Sequence, residues 1–204
     1  MKKILFLFLA MSILSCSSDD SNSNEETNIS FKLKKITSGQ QTLEFFYDGN
    51  KLTNVVANEN PSSIYKTELV YENNKLVKLK RFINNVYQSN NDLFFQYTNE
   101  NITTSSGYED NILFSHQYSY NSLGQMVTDA QYDNNVYNSE ETFTYLSNGN
   151  IESHSHSAFS GTYIFTYDNK YNPIYYAYPI SLSKIWAISK INGNIIETEI
   201  YEYY

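Results

Sequence analysis

Two of the three histidines lie two residues apart, at His154 and His156, in the segment IESHSHSA. Residues two apart in a β-strand point to the same face, so the two imidazoles could be presented together to a metal ion. Zinc sites of known type use three or four ligands, and His116 lies far upstream of the pair. We keep His154 and His156 as weak metal-ligand candidates. A solvated strand face is the favoured interpretation, and we expect no cofactor.

A second chemically suggestive group is aromatic and lies near the C-terminus. Tyrosine and tryptophan rings stack on sugars and on apolar peptides, so we take four of these residues as candidate binding residues. They are Tyr175, Tyr176, Tyr178 and Trp186. Packing in the core is the favoured interpretation of the group as a whole, although adjacent residues of a strand point to opposite faces, so part of it can face outward. For Trp186, a cap on the open end of the sheet is an equal alternative.

Motifs of known catalytic sites are absent from the sequence. It contains no Gly-rich phosphate loop, no HExxH and no GxSxG, and glycine totals only 7 residues. The acidic residues are scattered, so a paired-carboxylate site would need two acids from separate strands facing each other across a groove. The sequence favours a protein that is not an enzyme.

Composition limits the partners and the fold class. The 204 residues include 14 Lys plus Arg against 22 Asp plus Glu, a net charge of -8, which excludes a basic surface for nucleic acid. Tyrosine supplies 20 positions and phenylalanine 12, whereas proline supplies 3. Aromatic residues favour strands, so the length and composition predict a single β-rich domain.

The first 15 residues have the layout of a secretory signal peptide. Lys2 and Lys3 precede the largely apolar run 4–14, which is too short to span a bilayer. The segment Ile13-Leu14-Ser15-Cys16 resembles the lipobox of bacterial lipoproteins. That resemblance implies that residues 1–15 are removed and that Cys16 is lipidated and anchors the chain to a membrane. An ordinary signal peptide and a free thiol are the alternatives.

Residues 16–28 are polar and acidic, and we interpret them as a flexible tether. Their start, Ser17-Ser18-Asp19-Asp20, resembles the acidic signal that sends many Bacteroidetes lipoproteins to the outer face of the outer membrane. We therefore predict a lipid-anchored outer-membrane protein at the cell surface. An ordinary linker, which leaves the periplasmic face open, is the alternative. Cys16 is the only cysteine, so no intramolecular disulfide can form.

A unit of about 24 residues recurs through the remainder, residues 29–204. Each unit has an alternating segment that ends in a tyrosine, then a short Asn/Gly/Asp cluster, then a Leu, Ile or Met that opens the next segment. A fixed period of this length is typical of repeat proteins. The anchor tyrosines are Tyr47, Tyr71, Tyr97, Tyr120, Tyr145 and Tyr167.

The pattern within a unit predicts linked antiparallel strands. Apolar side chains alternate before each anchor, as in Leu93, Phe95 and Tyr97, or Tyr163, Phe165 and Tyr167, and should form the packed face. Turn clusters such as Asn73-Asn74 suit tight hairpins. We predict an all-β antiparallel meander of roughly thirteen to fifteen strands. Accumulated twist should curl it into one curved sheet, a roll or a barrel-like sheet, open or closed.

The units YDGNKL at 47–52 and YDNKYNPI at 167–174 resemble the YD repeats of the RHS and wall-associated families. The whole is similar to small Bacteroidetes lipoproteins of unknown function built from YD-like hairpins. Beyond Pro173 the period breaks, and we predict a helical turn at 181–184 with Ser181 as its cap. A last hairpin should follow, formed by 185–191 and 195–204.

These features together predict a non-catalytic binding or adhesion module for glycan or protein. The candidate binding residues fall where the repeat breaks, and irregular connections more often carry function. A structural subunit of an envelope complex is the alternative, and a glycan-acting hydrolase is a third. No nucleic-acid partner is expected.

Overall fold

The computed structural model describes residues 32–60, 63–159, 161–171, 177–185, 191–193 and 200–203. The expectations for Cys16, Tyr175, Tyr176 and Trp186 therefore lie outside the described residues, as do those for the signal peptide and tether. Among the described residues, no helix has the length and apolar character needed to cross a membrane.

The predicted all-β fold is confirmed: the described residues form sixteen strands, a 3₁₀ turn at Ser89–Asn91 and one short α-helix. The strands are β1 (Leu33–Ser38), β2 (Gln41–Asp48), β3 (Lys51–Asn60), β4 (Ser63–Glu72), β5 (Lys75–Ile83), β6 (Val86–Tyr87), β7 (Leu93–Thr98), β8 (Asn101–Glu109), β9 (Ile112–Tyr120), β10 (Met126–Asp133), β11 (Val136–Tyr145), β12 (Ile151–His156), β13 (Thr162–Ile164), β14 (Tyr167–Tyr171), β15 (Ile191–Gly193) and β16 (Ile200–Tyr203). The helix, α1, is Ile180–Ile185.

One antiparallel meander contains fourteen of these strands. Its order is β13-β12-β11-β10-β9-β8-β7-β5-β4-β3-β2-β1-β16, with β6 also paired to β5. The sheet is open, because in the described part of the chain β13 pairs only with β12 and β16 only with β1. Every connection inside the meander from β1 to β13 is short, as the spacing of the turn clusters predicts.

The C-terminal region differs from the predicted hairpin. Strand β15 pairs with β14 in a separate two-stranded sheet, whereas β16 pairs with β1 and places Tyr203 opposite Leu33. The first strand of a meander leaves one row of backbone groups unpaired, and β16 covers this edge. The helical turn forms one residue earlier than predicted, so that Ser181 lies inside α1.

The turns between strands lie at the two ends of the sheet, and turns with positive φ at both central residues occur at both ends, including Asn73-Asn74 at the end of the anchor tyrosines. At the end that carries the anchor tyrosines, which we call the tyrosine end, strands are joined at 49–50, 73–74, 99–100, 121–125 and 146–150. At the opposite end, which we call the asparagine end, three turns have positive φ at both central residues. These are Asn84-Asn85, Asp110-Asn111 and Asn134-Asn135, and asparagine and aspartate tolerate that backbone conformation better than most residues.

The same irregularity recurs beside each anchor tyrosine. The anchor lies opposite the apolar residue that opens the next strand, and one extra residue of that next strand forms a β-bulge. Tyr47 lies opposite Leu52, for example, whereas Phe46 lies opposite Asn54, so that Thr53 is the extra residue. The other pairs are Tyr71 with Leu76, Tyr97 with Ile102, Tyr120 with Met126 and Tyr145 with Ile151.

The anchor hydroxyls join neighbouring hairpins. The ladder between β3 and β4 ends at Asn54 and Glu68, two residues short of Leu52, and the Tyr71 hydroxyl donates to the Leu52 carbonyl at 2.9 Å. This arrangement repeats three times. Tyr97 donates to Leu76 at 3.0 Å, Tyr120 to Ile102 at 2.6 Å and Tyr145 to Met126 at 2.5 Å. Because the donors all run from one unit to the preceding one, we call this set the hydroxyl ladder.

The inner face, which carries the anchors, packs against residues 177–185. Phe45 on β2 makes an edge contact with Tyr178 at 5.7 Å, the hydroxyls of Tyr97 on β7 and Ser181 lie 3.2 Å apart, and Lys184 donates to Asn101 on β8. In a flat sheet β2 and β8 would be about 24 Å apart, whereas six helical residues span about 9 Å. The sheet therefore curves around this segment.

Most side chains two residues before an anchor are buried in the predicted face. Phe45, Leu69, Phe95 and Phe143 belong to the core. The last unit departs from this pattern, because Tyr163 and Phe165 are exposed. The packed face thus ends before the open edge at β13.

Candidate functional site

Four adjacent strands place two acidic side chains between two histidines across the inner face. They are His116 on β9, Asp129 on β10, Glu141 on β11 and His154 on β12, and we call them the His-carboxylate row. The register places Asp129 directly opposite Glu141, with each histidine diagonal to its carboxylate. Strand pairing therefore assembles a polar site from residues up to 38 positions apart.

His116 and Asp129 form the tighter pair. The Nδ1 atom of His116 lies 2.8 and 3.0 Å from the two carboxylate oxygens of Asp129, which is buried. An ionised carboxylate can only accept, so Nδ1 of His116 is the donor in this pair. Asp129 thereby fixes the orientation of His116.

His154 lies in a stack of rings that crosses three strands. Its ring is 4.9 Å from Phe143 at an interplanar angle of 13° and 5.7 Å from Tyr163 at 19°. Its Nε2 atom lies 3.3 Å from Glu141. Tyr163, on the edge strand β13, is 60% exposed. The stack therefore ends in an accessible aromatic ring, and the Glu141 carboxylate lies against its middle member, His154.

Ser105 and Tyr118 border the His-carboxylate row on the buried side. Their hydroxyls are 2.7 Å apart, and Ser105 is almost fully buried. Burial, followed by the negative charge of Asp129, raises the pKa of Tyr118, so its hydroxyl stays protonated at neutral pH. Although Ser105 lies opposite His116 in the register, its hydroxyl bonds Tyr118 instead. The serine is not arranged as an activated nucleophile.

The predicted metal-ligand candidates lie on one face of β12. His156 is opposite Glu141, but its Nδ1 atom accepts a hydrogen bond from the Ala158 amide at 3.0 Å, and its ring contacts Phe159. Within the described residues, no three His, Cys, Asp or Glu side chains are grouped so that they could hold a metal ion.

The predicted binding residues do not join this site where the structure describes them. Tyr178, the one described member of that group, is partly buried and packs on the core through Phe45. Burial raises its pKa, while the charge of Arg81 acts in the opposite direction. Its ring faces the packed side of the sheet.

Sequence reasoning missed His116, Asp129 and Glu141, although the repeat carries a usable signal. The position four residues before the anchor is Leu43, Thr67 or Leu93 in the first three units but the ionisable His116 and Glu141 in the next two. An ionisable residue where other units place leucine or threonine indicates a position that does not serve the packing of the core. The residue two positions before each anchor has a cross-strand partner on the next strand. These partners also change from apolar to polar along the chain. They are Val55, Leu79, Ser105, Asp129 and His154.

No protein-family model matches the chain, and no curated protein is significantly similar to it. The residues of the site itself must therefore carry the functional argument.

Proposed function

We propose that this chain is a lipid-anchored cell-envelope protein that binds glycan through the His-carboxylate row and the adjoining ring of Tyr163. The observation that carries the proposal is the stack of Phe143, His154 and Tyr163, which ends in the exposed ring of Tyr163 and whose central ring, His154, lies 3.3 Å from Glu141. Aromatic faces stack on the apolar faces of sugar rings, and nearby carboxylates accept hydrogen bonds from hydroxyls.

The other members of the row favour binding over catalysis. Asp129 already accepts from His116 and is buried, so its role is to orient that imidazole. Glu141 is partly exposed and can accept from a ligand, whereas the Nε2 atom of His154 is buried beside it. A hydrolase would need a free acid or nucleophile, and Ser105 is bonded to Tyr118.

The envelope location rests on the sequence. The resemblance of Ile13-Leu14-Ser15-Cys16 to a lipobox supports lipid attachment at Cys16, and the polar residues after it support a tether. A surface position at the outer membrane follows from the acidic start of that tether, and the periplasmic face is the alternative. A protein ligand and a scaffolding role in an envelope complex are the competing functions.

Binding is tested by applying the purified lipoprotein, in detergent micelles, to an array of neutral and amino-sugar oligosaccharides. Tyr163→Ala and Glu141→Gln should each weaken glycan binding by about tenfold or more, because each removes roughly 1.4 kcal/mol or more of contact energy. Tyr137→Phe is the matched control, since Tyr137 is also exposed but lies on β11 at the asparagine end.

The array distinguishes the alternatives. Binding that is equal in the native chain and in both variants would contradict the proposed site. No glycan bound at all would favour a protein ligand or a scaffold, and release of shorter sugars would show a hydrolase.

Lipid attachment is tested separately by labelling cells with a palmitate analogue. The native chain should take up the label, and Cys16→Ala should not. Equal labelling of the two would show that Cys16 is not the attachment site.

A further inference from the structure

Three apolar residues are exposed at equivalent places on the asparagine end. Each comes directly after a turn with two positive φ angles: Val86 after Asn84-Asn85, Ile112 after Asp110-Asn111 and Val136 after Asn134-Asn135. The exposed fractions of these side chains are 62%, 45% and 69%, whereas the apolar residues that follow the turns of the tyrosine end are buried. Recurrent exposure at one end is not the scatter expected of isolated surface residues.

The strand register places these side chains on the inner side of the sheet, at its mouth. Ile112 lies opposite Glu109 and Val136 lies opposite Asp133, so these two have an acidic neighbour across the turn, whereas Val86 lies opposite Ile83. Ile112 and Val136 begin β9 and β11, which are two strands apart, so they are separated by about 10 Å. A partner could insert apolar side chains at this interval along the rim.

Charge is distributed unequally between the two ends. The connecting residues 57–64, 83–88, 108–113 and 132–138 at the asparagine end contain four acids and no Lys or Arg. The acids are Glu59, Glu109, Asp110 and Asp133. The tyrosine end, in contrast, contains bases as well as acids. Lys51 and Lys75 lie there, over the rings of Tyr71 and Tyr97. The turns of the asparagine end therefore carry an excess of negative charge, although Lys66 lies over the ring of Phe82, whose neighbour Ile83 is opposite Val86.

The chain topology places this rim opposite the point where the N-terminal segment enters. Strand β1 begins at the tyrosine end, where Lys32 donates to the carbonyl of Gly49. Residues before Lys32 therefore join the domain at the tyrosine end. A membrane anchor at Cys16 would therefore be joined to the domain at the end opposite this rim.

We propose that the asparagine end is a docking surface for a basic protein segment that carries apolar side chains. Val86, Ile112 and Val136 supply the apolar contacts, and Glu109, Asp110 and Asp133 supply the complementary charge. An anionic membrane surface would be repelled by the same acids. This surface is separate from the His-carboxylate row, so it stands whether or not the chain binds glycan.

The test uses the purified lipoprotein in micelles and two short synthetic peptides, one of leucine and lysine and the other of leucine and glutamate. The leucine–lysine peptide should bind, and the leucine–glutamate peptide should not. The combined change Val86→Ser, Ile112→Ser and Val136→Ser should weaken binding by about tenfold or more, because burying each side chain contributes free energy. Val136→Ser alone, with the same melting temperature as the native chain, should weaken it in the same direction.

The charge contribution is tested with Glu109→Gln, Asp110→Asn and Asp133→Asn combined. These changes should lower the affinity at low salt and flatten its salt dependence. The matched control neutralises three acids of the tyrosine end, Asp48→Asn, Glu72→Gln and Glu100→Gln, and should leave binding unchanged. Equal binding of both peptides, native affinity in the serine variants or an equal loss in the control would overturn the proposal.

Discussion

Replacing Tyr120 with phenylalanine removes one hydroxyl from the hydroxyl ladder and leaves its ring in place. The hydroxyl donates to the Ile102 carbonyl at 2.6 Å, at a point where the ladder between β8 and β9 has already ended. A hydrogen bond contributes about 0.5–1.5 kcal/mol, and a buried carbonyl left without its donor costs about 1–3 kcal/mol. We expect Tyr120→Phe to lower the free energy of unfolding by about 1–2 kcal/mol.

The alanine variant at the same position separates the hydroxyl from the ring. Tyr120 packs on the core, so Tyr120→Ala should cost about 3–5 kcal/mol. The same size of loss is expected for Tyr97→Ala and Tyr145→Ala. The difference between the two Tyr120 variants then measures the packing of the ring alone.

The assay is urea unfolding at 25 °C, with the slope of the transition checked for each variant. Tyr137→Phe is the control, because Tyr137 is 53% exposed, and its change should stay within about 0.5 kcal/mol. If Tyr120→Phe unfolds at the same urea concentration as the native chain, the hydroxyl ladder contributes nothing and the reasoning fails.

Three further predictions concern other positions. Burial raises the pKa of Tyr145 to about 12, so the folded chain retains a proton that the unfolded chain releases near pH 10. The free energy of unfolding that this group contributes below pH 10 should be lost as the pH rises toward 12. The loss should be at most about 1 kcal/mol per pH unit, because the group is only partly buried. An unchanged urea midpoint at alkaline pH would contradict this. Gly107→Ala should lower the melting temperature, because its Cβ would lie 2.6 Å from the Asp92 backbone oxygen, and an unchanged value would mean that the strands shift. Asp129→Ala should cost about 1–3 kcal/mol in urea unfolding by leaving His116 without its carboxylate, whereas native stability would show that solvent replaces it.

The meander could be predicted because the same repeat of about 24 residues determines the length and spacing of most of its strands. The interval between anchors predicted hairpins, and the alternation before Tyr97 predicted the face that is buried. The sequence did not decide whether the sheet closes, because that depends on which strand covers β1. The prediction of a last hairpin was wrong for the same reason, because β16 pairs with β1, a strand over 160 positions away. Local pattern carries no information on such a pairing.

The candidate site was predictable only in part. The shared face of His154 and His156 followed from their spacing, since it is local. The neighbours Asp129 and Glu141 became visible only with the register, because a shift of one residue between strands would point them to the other face. A bulge beside each anchor sets that register, and alternation alone does not reveal bulges.

The direction of the hydroxyl ladder has a consequence for how the chain can be assembled. Each donor tyrosine is made after the carbonyl that accepts its bond, as with Tyr71 and Leu52. A polypeptide crossing a membrane with its N-terminus first would therefore present each new hairpin to a completed acceptor edge. The sheet can grow strand by strand in the order of export, without waiting for distant sequence. Only α1 and β16, which fill the inner face and cover β1, must wait for the end of the chain, so the final consolidation step should be slow and sensitive to C-terminal truncation.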